Sequence, residues 1–134
     1  MLFNFDPERY IPDRQEVFDN HFPSGTSFRN FIHFAQSVRK EKIEKFDHGK
    51  ATNLEIYNSE KPPKYDLSAI SVPVHVFIGS ADWLSTPEDA NANLKEMQNL
   101  KIYNLENFDH LEFIRGKRAK HELFPKILTL LSTE

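Results

Sequence analysis

The chain has 134 residues, enough for one domain of ordinary size, with 17 basic and 20 acidic residues, a net charge of -3 and no cysteine. The two signs are interspersed, which excludes the clustered basic footprint of a nucleic-acid binder and a polybasic arm for anionic lipid. Disulfide and thiolate chemistry are excluded too, and no run approaches the roughly 20 apolar residues of a transmembrane segment, so a soluble chain is expected.

Residues 1 to 25 are rich in Pro and Asp and are expected to be irregular. Met1 to Tyr10 carry Asp6 and Glu8 without a long apolar stretch, so they are not read as a signal peptide. A helix is then expected, capped by Ser24 or Thr26 and stopped near Gly49. Phe28, Phe31, Ile32, Ala35, Val38, Ile43 and Phe46 fall on one helical stripe, which Arg39 and Lys42 interrupt. Core packing is the commoner use of such a stripe, and lining an acyl-chain site is the other.

From Ala51 to Leu67 the chain is polar around Lys61-Pro62-Pro63-Lys64, which predicts extended or loop structure. Val72 to Ile78, closed by Gly79, reads as a strand buried on both faces of a parallel sheet, with Pro73 tolerated at its start. Thr86-Pro87-Glu88-Asp89 opens a helix that should run to about Leu100. Lys101 to Leu105 alternates as a second strand. Lys117 to Leu131 is helical, with a kink or a start at Pro125. Strand, helix, strand, helix is the α/β order.

Two residues stand at equivalent places in that order. Asp82 lies three residues past Gly79, and His110 lies five past Leu105. Functional groups of open parallel sheets gather beyond the carboxyl ends of the strands, and right-handed crossovers put both loops on one edge. A carboxylate beside an imidazole there is the acid–base half of a hydrolytic triad, although a helix-capping Asp and a surface His are the commoner uses of such residues. Of the other histidines, His75 reads as a core group, while His21, His48 and His121 have no partner at a telling spacing. There is no His-Glu-x-x-His and no Cys/His cluster, so neither a metal nor a cofactor is expected.

The sequence around these residues reads Ile78-Gly79-Ser80-Ala81-Asp82-Trp83-Leu84-Ser85-Thr86-Pro87, then Phe108-Asp109-His110-Leu111-Glu112-Phe113-Ile114. It resembles the gastric and lysosomal acid lipase family, in which a strand ending in Gly leads to Asp-Leu-Leu-Ala-Asp-Pro and a later Asn-His-Leu-Asp-Phe-Ile carries the histidine. Pro23-Ser24-Gly25-Thr26-Ser27, His33-Phe34-Ala35-Gln36, Phe46-Asp47-His48-Gly49, Pro62-Pro63-Lys64-Tyr65-Asp66-Leu67 and Val72-Pro73-Val74 are similar to further motifs of that family, in order, over roughly residues 16 to 134. The resemblance implies the C-terminal portion of an α/β-hydrolase fold. Residues 1–66 would be the helical end of a cap region, and residues 67–134 the last two parallel strands of the core with their helices. It makes Asp82 the triad acid, His110 the triad base and His33 a structural hydrogen-bonder.

The departures are as informative. The family's nucleophile sits in a Gly-x-Ser-x-Gly elbow on an earlier strand. Here the glycines are 25, 49, 79 and 116, and no two bracket a serine in that way. Ser24, Ser27, Ser80 and Ser85 read as cap and turn residues. His48 and Arg115 stand where Trp is usual. Asp109 replaces the usual Asn and brings a negative charge that would raise the pKa of His110 or compete for its proton. The expectation is the C-terminal part of a lipase acting on neutral lipid esters, inactive alone and in need of the missing N-terminal part of the core. The parent enzyme would be secreted or lysosomal. The alternatives are a piece of another α/β-hydrolase with an Asp nucleophile, or a non-catalytic truncated or regulatory lipase-like protein.

Overall fold

The computed structural model describes residues 8–22, 24–40 and 42–132. The chain forms two compact units, one of Met1–Ser24, His75–Pro87 and Ile102–Glu134, the other of Gly25–Val74 and Glu88–Lys101.

The chain has a two-stranded sheet of β1 (Val74–Gly79) and β2 (Leu100–Leu105), of which residues 75–79 and 102–105 belong to the first unit. At one end the Val74 N–H donates to Asn99 O at 2.8 Å, and at the other the Ser80 N–H donates to Leu105 O at 3.0 Å. The register advances equally on both strands, so they are parallel, as the α/β order requires. β1 begins just after Pro73, which has no N–H to give a ladder. Its residues are half-buried up to Phe77 and buried only at Ile78 and Gly79. Burial is thus concentrated at the carboxyl end rather than spread over both faces.

That end meets the core of Leu105, Phe108, Ala119 and Leu123, flanked by Phe77, Phe113 and Ile127. Phe108 is fully buried, with Phe113 edge-on at 5.6 Å and the Arg118 guanidinium over its ring at 4.7 Å. The helical elements are α5 (Glu112–Arg115), a π turn at Ala119–Leu123, and α6 (Phe124–Leu131). Pro125 lies in the first turn of α6, where the π turn changes to α and proline is tolerated. It therefore marks a start rather than a kink.

The Pro- and Asp-rich opening is more regular than its composition implies. Pro12–Arg14 forms a 3₁₀ turn that runs into a helix, α1 (Gln15–His21). Gln15 donates to Asp19 one turn on at 2.7 Å, and the Arg115 guanidinium packs over Phe18 at 5.0 Å and Phe22 at 4.8 Å. Tertiary contact supplies what local propensity does not. Just before the turn, Tyr10 and Gly116 form an antiparallel bridge. Residues 1–7 and Pro23 lie outside the described residues.

In the second unit, α2 spans Phe28–Lys40. Its hydroxyl cap is Ser27, whose Oγ accepts the Arg29 N–H at 3.2 Å. The helix ends well before Gly49, and Ile43 and Phe46 lie off it. There the chain is drawn out by an antiparallel bridge between Glu44 and Lys64, with Lys45 N–H on Pro63 O at 2.9 Å. The helix docks by its polar face. His33 Nε2 donates to Glu44 O at 2.8 Å, and Gln36 exchanges two hydrogen bonds with the Asp47 backbone at 2.9 and 3.0 Å. The apolar stripe points outward, with Phe28 77% and Phe31 63% exposed, contrary to the core role expected of it.

Part of the stretch expected to be loop is a helix, α3 (Lys50–Tyr57), entered through Gly49 at φ 86 and left through Asn58 at φ 54. Its anchor is Asp47, which accepts from the Gly49 N–H at 3.0 Å, Asn53 Nδ2 at 2.8 Å and Lys40 Nζ at 2.9 Å. α4 spans Pro87–Leu94, shorter than expected. The side chain of Asn99 bonds Ser71 O at 2.7 Å and fixes the turn before β2.

Two outcomes follow. The Lys40 ammonium, then Asn53 and the Gly49 N–H, hold the Asp47 carboxyl down at about 2. A carboxylate depressed in the folded state adds stability that is present above its unfolded value near pH 4 and is lost as pH falls toward 2. Acid unfolding followed by circular dichroism should therefore show a loss between about pH 4 and 2 that Asp47→Asn reduces. At Gly79, a Cβ would collide with the backbone carbonyl of Phe108, whereas one on Gly25 would meet open space. Gly79→Ala should destabilise by about 1–3 kcal/mol in urea unfolding, as overpacking does, and Gly25→Ala by a few tenths at most.

Candidate active site

The two loops that leave the strands are clasped by backbone. Ala81 N–H donates to Phe108 O at 3.0 Å, and Asn107 N–H donates to Ser80 Oγ at 2.8 Å. Asn107 turns the second loop at φ 58, a left-handed conformation that Asn tolerates. These contacts hold the loops edge to edge and bring the two singled-out residues together. His110 Nδ1 lies 3.0 Å from Asp82 Oδ2.

Asp82 is 7% exposed and fully engaged. Its Oδ1 accepts the backbone N–H groups of Leu84 at 2.9 Å and Ser85 at 2.8 Å, which fixes the carboxylate while Oδ2 faces the imidazole. The His110 side chain is 41% exposed. A carboxylate on Nδ1 selects the tautomer with the proton there and leaves the Nε2 lone pair to accept another. One end of the ring is thus fixed and the other is basic.

Asp109 does not turn to the imidazole. Its Oδ2 accepts from the Tyr10 hydroxyl at 2.7 Å, and its Oδ1 from the N–H groups of Leu111 at 2.9 Å and Glu112 at 3.0 Å. Glu112, fully buried, returns the bond: its Oε2 accepts the Asp109 N–H at 3.0 Å and Arg9 at 3.0 Å. The Asp109 carboxylate, expected to compete for the His110 proton, is held in this reciprocal capping pair instead. Burial, then the bond to Asp109, pushes the Tyr10 phenol well above its ordinary value, so it stays protonated and donates. The Asp-x-x-Glu spacing of 109 and 112 was a signal available in the sequence. Arg9 and Tyr10, about a hundred residues away, carried none.

His33 is a structural hydrogen-bonder. His75 Nδ1 lies 3.0 Å from the Tyr103 hydroxyl on the sheet. His48, expected to have no partner, lies 3.0 Å from Arg29 and is flanked by the rings of Phe46 and Tyr57. Ser27 and Ser80 serve as cap and turn residues. Among the described residues no group of three His, Asp or Glu is placed to hold a metal, and no helix is long and apolar enough to cross a membrane.

No protein-family model matches the chain. Curated proteins do. It is 34% identical over 132 residues to the gastric triacylglycerol lipase of Rattus norvegicus, covering 97% of this chain and 33% of the relative. It is 35% identical over 133 residues to the lysosomal acid lipase/cholesteryl ester hydrolase of Homo sapiens, covering 98% and 33%. It is 34% identical over 136 residues to lipase member M of Homo sapiens, covering 100% and 32%. Such relatives imply an α/β-hydrolase fold, with which the parallel strands and mixed helices agree. The chain belongs to the acid lipase family. It spans about a third of the length of the curated relatives it matches.

Asp82→Asn keeps an oxygen for Leu84 and Ser85 but removes the charge from His110. The amide spectrum should be retained, while the downfield Nδ1 proton of His110, followed by nuclear magnetic resonance, should disappear. A proton signal indifferent to this change would separate the two side chains in solution.

Proposed function

We propose that the chain is the C-terminal part of a lipase that hydrolyses carboxylic esters of neutral lipids. In this reading residues 67–134 are the last two parallel strands and helices of the hydrolase core, and residues 1–66 the end of a cap. The observation that carries it is the 3.0 Å contact between Asp82 Oδ2 and His110 Nδ1, with the other carboxylate oxygen tied to two backbone N–H groups. Asp82 holds the ring and stabilises the imidazolium. His110 Nε2 takes the proton of a serine hydroxyl as that oxygen bonds to the ester carbonyl carbon. The proton then goes to the departing alcohol, and water releases the acyl group from the serine by the same relay.

These 134 residues contain no Gly-x-Ser-x-Gly elbow. In this reading the nucleophile and the oxyanion hole come from the N-terminal part of the core, and the chain alone hydrolyses no ester. The names of the relatives support triacylglycerol and cholesteryl esters as the substrate class, and a secreted or lysosomal parent. No cofactor enters the chemistry.

The test has two arms. The purified chain should give no turnover of a short-chain chromogenic ester, and activity abolished by His110→Ala would reveal a nucleophile within these residues. In a protein that carries this chain behind a nucleophile-bearing core, Asp82→Asn should lower turnover by up to roughly 10⁴-fold with the fold intact, and His110→Ala at least as much. Near-normal turnover of the Asp82→Asn protein would assign the acid elsewhere.

A further inference from the structure

His110 sits in the middle of a backbone segment that is held from both sides. Ahead of it, the Asn107 N–H is fixed by Ser80 Oγ, and the Asn107 carbonyl accepts from Arg9 at 2.8 Å. Behind it, the Asp109–Glu112 pair closes the first turn of α5 through three backbone N–H groups. Each acid in that pair has a second donor from the N-terminal stretch, Tyr10 on Asp109 at 2.7 Å and Arg9 on Glu112 at 3.0 Å. Arg9 thereby joins both ends of the segment through one nitrogen. The N-terminal stretch is itself pinned by backbone, with Lys117 N–H on Arg9 O at 2.9 Å and Ile11 N–H on Arg115 O at 3.2 Å.

The arrangement has a chemical reason. Asp109 is a carboxylate next in sequence to a histidine whose ring must stay on Asp82. A carboxylate released from its cap would offer the imidazole a second acceptor at short range, and opposite charges within about 4–6 Å interact appreciably. The Tyr10 hydroxyl, on a residue only 3% exposed, takes up Asp109 Oδ2, and the Arg9 guanidinium lies 3.8 Å from the same oxygen. Glu112 is the weaker point. It is fully buried, its Oε1 has no hydrogen-bond partner, and its Oε2 takes both donors. Removing Arg9 would leave one backbone N–H to satisfy a buried carboxylate, a costly state for a charge.

We infer that Tyr10 and Arg9 are positioning residues for His110: they hold the Asp109–Glu112 cap closed and keep the Asp109 carboxylate off the imidazole. This rests on the reading of Asp82 and His110 as the acid–base pair. Neither residue touches the reacting atoms. Both act through the loop.

The experiment uses the 134-residue chain with nitrogen-15-labelled histidine and reads solvent exchange of the His110 Nδ1 proton. Tyr10→Phe removes one oxygen, and Arg9→Gln removes the charge. Each should speed exchange by about two- to tenfold, the equivalent of one hydrogen bond of ordinary worth. Phe18→Leu weakens the anchoring of α1 on Arg115 without touching the cap and should leave the exchange unchanged. Asp109→Asn added to Tyr10→Phe should restore slow exchange, since asparagine keeps the capping oxygen without the charge. Unchanged exchange in both single variants overturns the inference, and so does an equal effect of Phe18→Leu or a Tyr10→Phe effect that Asp109→Asn does not relieve. Should Tyr10→Phe lose the dispersed amide spectrum, Arg9→Gln decides. If the unsubstituted chain shows no Nδ1 proton signal that Asp82→Asn removes, the acid–base pair itself fails and the positioning role falls with it. A signal present and indifferent to Tyr10 and Arg9 sinks the positioning role alone.

Discussion

The first unit depends on one close approach, the backbone of Phe108 lying against Gly79. Any side chain at 79 would push the second loop off the end of β1, and with it the hydrogen bond between Ala81 N–H and Phe108 O. The Phe108 ring, fully buried in the core, holds the approach from the other side. Burying such a ring contributes on the order of 1.5–3 kcal/mol, enough to bias where a loop rests in a small unit. Asp82 and His110 meet because their loops are fastened here, at the backbone. Their own contact adds to a geometry already set.

The parts of this arrangement that a sequence can express locally were legible. Val72 to Ile78 is mostly apolar and β-branched, with Pro73 at its start and Gly79 at its end, and Lys101 to Leu105 alternates, so both strands fell close to their observed places. Asp82 and His110 could be singled out because the ends of parallel strands are where such groups collect. Less legible were the elements whose stability comes from partners far along the chain. α1 forms in a Pro-rich stretch because Arg115 receives Phe18 and Phe22. α2 stops at Lys40 because Glu44 pairs with Lys64, although the hydrophobic period runs on to Phe46.

α2 also shows where reasoning from amphipathicity fails. An apolar stripe ordinarily marks the face that packs, because burial of apolar area dominates helix docking. Here the polar face does the docking. His33, Gln36 and Lys40 reach the backbone and carboxylates of residues 44–47, and Arg29 lies over Phe46 at 4.5 Å. Hydrogen bonds with good geometry and a cation–π contact suffice to fix the helix within its unit, and the phenylalanines keep their exposure.

Asp82 carries two duties that a single change, to asparagine, would separate. One oxygen faces His110, and the other ties the turn through Leu84 and Ser85. A lineage that drifted to asparagine here would keep the turn, because an amide oxygen still accepts from Leu84 and Ser85. Persistence of the acid rather than its amide at this position is therefore a record of the charge that faces the imidazole, and the turn alone would not preserve it.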